Sequence, residues 1–148
     1  MKKTMLLPVA VILIVLLVIW LYLGIRGQAD YITNIGTAET EMIADELNIS
    51  LSPDSGIKSF AYMTYMTDSF FVLEIKTDNA EKFMSANKDA FSETNDKIIS
   101  SFLFPTKKYL PKNNGITAYY TENTVYLSLW SKEYPLISDT FFSLYIEN

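Results

Sequence analysis

The sequence predicts an α+β protein: a single N-terminal transmembrane helix, then a small domain in which an antiparallel sheet of about five strands carries two or three helices. Three observations lead there. Residues 5–25 contain no charged side chain, and at about 1.5 Å per residue a helix of that length spans roughly 30 Å, the thickness of a bilayer's hydrocarbon core. Segments 57–66, 70–76, 116–121 and 124–130 are dense in aromatic and β-branched residues and come in pairs around short polar turns, the signature of hairpins. Between and before them, apolar residues recur at helical spacing.

Residues 1–4 read as a cytoplasmic N-terminus and 5–25 as a signal anchor. Lys2 and Lys3 precede the span and Arg26 follows it, which by the positive-inside tendency keeps the N-terminus cytoplasmic and exports the rest. Trp20 and Tyr22 are placed to mark a headgroup layer. Gly27, Gln28 and Ala29 offer a peptidase small residues, but the run is longer than the 7 to 15 residues of a cleaved leader, so retention is the expectation.

Residues 26–36 read as a linker and 37–148 as one extracytoplasmic α+β domain. Thr37 is a candidate N-cap for a helix over 37–48, with Ala38, Met42, Ile43 and Leu47 on one face. Pro53, Asp54, Ser55 and Gly56 supply turn chemistry. The hairpin of 57–66 and 70–76 follows, with Phe71, Leu73 and Ile75 as its core face. Asp78 and Glu81 have capping-box spacing and open a helix running to about Phe91. Ile98, Ile99, Phe102 and Leu103 predict a second helix over 94–103, stopped by Pro105. A loop over 107–114 leads to the hairpin of 116–121 and 124–130. Alternation of Phe142, Leu144 and Ile146 with Phe141, Ser143 and Tyr145 predicts a last strand over 140–146.

Composition narrows the chemistry. The chain has no Cys and no His, which removes disulfides, a lipidated cysteine, thiolate and imidazole metal sites, and Ser-His or Cys-His catalysis. No metal ligand set, cofactor motif or catalytic residue is assigned. From Asp30 onward nine Lys face seventeen Asp or Glu, a net charge of −8 without one Arg, a poor match for nucleic acid. Carboxylate chemistry remains open to an enzyme; Glu74 interrupts an apolar strand and Asp68 is its nearest candidate companion for a hydrolase acting on envelope glycans.

The sheet's second face is the more informative feature. Tyr62, Phe70, Tyr119, Tyr126, Trp130 and Tyr145 come from strands whose opposite faces are also apolar, so they serve either a second covering layer or a contact surface. Tyr and Trp dominate binding hot spots because they bury large areas and keep a polar tip satisfied. The expected function is therefore a non-catalytic, membrane-anchored envelope protein that binds a protein partner, as an accessory subunit or an immunity or exclusion factor. The Lys, Asn, Ile and Tyr bias leans bacterial. The membrane-tethered glycan hydrolase is the alternative.

Overall fold

The computed structural model describes residues 3–25, 29–65, 67–95 and 108–147. Helix α1 (Lys3–Ile25) contains Pro8 as its sixth residue, where the missing N–H costs the bond to the carbonyl of Thr4. Its side chains are described over 8–21, and the large apolar ones are exposed, Trp20 at 71%.

Among the described residues no helix is long and apolar enough to cross a membrane. The expected transmembrane signal anchor, the single-pass topology and the cell-membrane address with an extracytoplasmic domain are corrected accordingly. Of the residues expected at the membrane interface, Lys2 and Arg26 lie outside the described residues, and Lys3 begins α1.

Beyond α1 the described residues form an α+β arrangement built on one six-stranded sheet. Strand β1 (Ala29–Ile32) pairs antiparallel with β2 (Gly56–Tyr65) inside the segment expected to be linker. Strands β2 and β3 (Asp68–Lys76) form the first hairpin, with a bulge between Ile57 and Ser59. Strand β4 (Phe91–Asn95) lies parallel to β5 (Ile116–Tyr120), so the sheet is mixed rather than antiparallel and has six strands rather than five. The second hairpin, β5 with β6 (Thr124–Trp130), joins the first through β3·β6 pairing, which sets the order β1-β2-β3-β6-β5-β4. Parallel neighbours need a long connection, and the described part of that connection, 108–115, lies against the second face through Tyr109 and Leu110.

Helix α2 (Thr37–Glu46) takes its cap one residue earlier than expected. Gly36 is the N-cap and makes no side-chain cap bond; the Glu39 carboxylate occupies the space a Cβ there would need. Its C-terminus is closed by backbone bonds from Asn48 N–H to the Asp45 carbonyl (3.1 Å) and from Ile49 N–H to the Ala44 carbonyl (2.9 Å). These are the paired bonds of a Schellman motif. The motif requires a left-handed residue, and Asn48 supplies it at φ 52°. Asn48→Val is expected to cost about 1–2 kcal/mol, because a β-branched side chain is crowded in that region, whereas Asn48→Gly changes stability little. Urea denaturation midpoints of the two variants check this.

Helix α3 (Ala80–Ala86) is capped by Asn79, whose side chain accepts from Lys82 N–H at 2.9 Å, one residue beyond the expected Asp78. It ends sooner than expected, passing through a 3-10 turn at Lys88–Ala90 into β4. Of the helix expected over 94–103, residues 94 and 95 belong to β4 and the remainder lies outside the described residues. The strand expected over 140–146 is instead part of helix α4 (Pro135–Glu147). Pro135 suits the first helical position, where no N–H is needed. Ile137, Phe141 and Leu144, at spacings of four and three, are the residues α4 buries.

Helices α2, α3 and α4 all bury their apolar faces against one side of the sheet. Ile43 and Leu47, Phe83 and Met84, and Ile137 and Phe141 join Phe60, Phe71, Leu73, Ile75, Leu127 and Leu129 in one core. Cross-strand register stacks that core in rows, of which Ile32, Phe60, Leu73, Leu127 and Ala118 form the central one. Burial of such side chains, at about 25 cal/mol per Å² of apolar area, is what holds helices and sheet together.

Candidate functional site

The side of the sheet away from α2, α3 and α4 is built from the alternate residues of the same strands. Its first row runs Ala29, Met63, Phe70, Trp130; its second Tyr31, Ala61, Val72, Ser128, Thr117; its third Ser59, Glu74, Tyr126, Tyr119. Ala61, Met63, Phe70 and Val72 are buried and form a second, smaller apolar cluster. Tyr65, Tyr109, Leu110, Tyr126 and Trp130 pack on it while remaining partly exposed.

Four of the six expected contact aromatics lie here: Phe70, Tyr119, Tyr126 and Trp130. Phe70 is fully buried beneath Trp130, ring centroids 5.9 Å apart at 74°. Tyr119 is buried and donates its hydroxyl to the Leu110 carbonyl at 2.7 Å. It therefore pins the 108–112 segment to the sheet, as does the bond from Lys112 N–H to Thr117 Oγ1 at 3.0 Å. Tyr126 and Trp130 keep open surface. The other two expected residues lie on the helical side. Tyr62 packs against Phe71, Phe141 and Phe142. Tyr145 belongs to α4, stacks on Phe141 and reaches Asp30 Oδ1 at 3.4 Å.

Small side chains in the second row leave a depression of about 220 Å³ over Ala61 and Val72. Tyr31, Tyr109 and Tyr126 wall it, and Glu74 supplies its carboxylate. Tyr109 and Tyr126 meet at 5.4 Å and 42°. Burial, then the Glu74 charge and Tyr109, push the Tyr126 phenol above its ordinary value, so it remains a neutral donor throughout the physiological range. Glu74 accepts from Lys58 Nζ through Oε1 and from Ser59 Oγ through Oε2, both at 3.0 Å. Lys58 is 63% exposed and Glu74 22%, and an ion pair whose cation is open to solvent contributes about 0–1 kcal/mol.

Asp68 and Glu74 stand at opposite ends of β3, six residues and about 20 Å apart along the strand. Paired carboxyls for glycoside hydrolysis sit about 5–10 Å apart, so this pair is not brought together. No known family model, curated protein or solved structure matches the chain. Two further depressions flank α3, one edged by Asp78, Glu81 and Glu122, the other by the 50–54 loop. Among the described residues, no three His, Cys, Asp or Glu side chains are grouped to hold a metal ion.

Sequence reasoning missed Tyr31 and Tyr109 as members of this face. Tyr31 fell in the supposed linker, although Tyr and Ile in Asp30–Tyr31–Ile32 carry strand propensity. Tyr109 sits in a loop, and nothing in its neighbours announces where it packs.

Proposed function

We propose that this chain is a non-catalytic protein-binding module whose open sheet face seats a polypeptide partner, with Trp130 and Tyr126 as its anchors. One observation carries the reading: partly exposed Tyr and Trp side chains cap a buried apolar cluster on the side of the sheet that α2, α3 and α4 leave uncovered. A half-exposed ring over an apolar floor gains further burial when a partner arrives, and its polar tip still finds a hydrogen bond. The acidic balance of the chain disfavours nucleic acid. The separation of Asp68 from Glu74 weighs against the carboxylate hydrolase.

A photo-crosslinking residue placed at 126 or 130, compared with one at Ser85 on the exposed side of α3, tests the proposal in producing cells. Adducts with a second polypeptide are expected from 126 and 130 and not from 85. Equal capture from both sides, self-adducts alone, or none would overturn it. Against the captured partner, Trp130→Ala is expected to cost about 2 kcal/mol, roughly thirtyfold in affinity, as read by titration calorimetry.

A further inference from the structure

We infer that the tyrosine-walled depression is the seat of an arginine side chain presented by the partner, with Glu74 as the acceptor of its guanidinium. The inference rests on the proposed binding face and gives that face its specificity. Three phenol rings from three separate elements, Tyr31 on β1, Tyr109 in the 108–112 segment and Tyr126 on β6, surround an apolar floor at which Glu74 is the one carboxylate among the described residues. Flat cations stack on such rings and bond carboxylates through a planar fork, a combination that an ammonium does not reproduce.

The ring faces attract cations already: Lys108 Nζ stands 4.6 Å from the Tyr109 centroid. An ionised carboxylate has about four acceptor positions, and Lys58 and Ser59 take one oxygen each. Lys58 is the internal competitor. Its ammonium is largely in water, where such contacts are held weakly and exchange readily, so an entering fork can displace it. The chain as a whole carries more acidic than basic residues, which favours a cationic partner at long range, and no arginine from Asp30 onward competes for the place.

The test is an NMR titration of the isotopically labelled full chain with N-acetyl-arginine amide, its uncharged citrulline analogue, and N-acetyl-lysine amide. Saturable shifts at Ala61, Glu74 and Tyr126 are expected with arginine, about tenfold weaker binding with lysine, and none with citrulline. Glu74→Gln is expected to lower arginine affinity about tenfold. Tyr31→Ala is expected to lower it severalfold while the signals of α2 and α3 stay in place. Equal shifts from citrulline, non-saturating shifts, or shifts centred on Asp78, Glu81 and Glu122 would overturn the inference. Partner capture at 126 and 130 without arginine binding removes this inference and leaves the binding face standing. Arginine binding without capture removes the binding face and the partner that presents the arginine, and leaves the depression a site for a free guanidinium alone.

Discussion

Phe141→Ala is expected to lower the free energy of unfolding by about 3–5 kcal/mol, the cost of emptying a fully buried aromatic position. Phe141 has no solvent exposure, and its ring touches Phe60 at 4.9 Å, Phe71 at 5.4 Å and Tyr62 at 5.7 Å. It is the residue through which α4 grips two adjacent strands. Domains of this size have about 5–15 kcal/mol in all, so the variant sits near the edge of folding at growth temperature. Phe141→Leu, which keeps most of the volume, should cost less than half as much. Chemical denaturation followed by far-ultraviolet circular dichroism compares the two. An alanine variant as stable as the parent would mean that α4 does not anchor on this cluster.

Asn87→Ala is expected to cost about 2–3 kcal/mol by a different route, because it strands backbone groups away from water. The Asn87 side chain accepts from Ser50 N–H and donates to the carbonyls of Ser50 and Phe83, the last two at 3.1 and 3.0 Å. Only an amide serves both roles. It ties the end of α3 to the segment leaving α2 while buried to 5% exposure. Asn87→Asp separates donor loss from volume loss. Its ionised carboxylate would face two carbonyls without a proton to give, so its folded-state pKa is raised above the unfolded value. Its stability should therefore be greatest in acid and fall as pH rises through that folded pKa. Thermal melts at pH 4 and pH 7 read the sign directly.

Both hairpins were legible because each strand is dense in aromatic and β-branched residues over five to ten positions and closes on a short turn, information contained within the segment itself. Strand β1 was not legible, since four residues gain their stability from pairing with β2 some thirty positions away. The parallel pairing of β4 is non-local in the same way. Helix α4 was misread because Phe142, Leu144 and Ile146 alternate as a strand would. The decisive stripe, Ile137, Phe141 and Leu144, becomes visible only when the window starts at Pro135.

The candidate face shows a subtler limit. Alternation within β2 and within β3 is plain in the residues, but which set of one strand shares a face with which set of the next depends on register. Tyr62 stands opposite Phe71, and Met63 opposite Phe70. Tyr62 therefore joined the core and Met63, unremarked in the sequence, became the floor beside Trp130. Asp68 was the expected companion of Glu74; the bulge in β2 brings Lys58 to it instead.

Any attempt to trim this chain at residue 37, where the helical pattern resumes, would strip Ala29–Ile32 from the flank of Phe60–Met63. The amide and carbonyl groups laid bare there would form a ready template for a second molecule. Such a fragment should recover as tangled multimers, while one beginning at or before Ala29 keeps Phe60–Met63 paired.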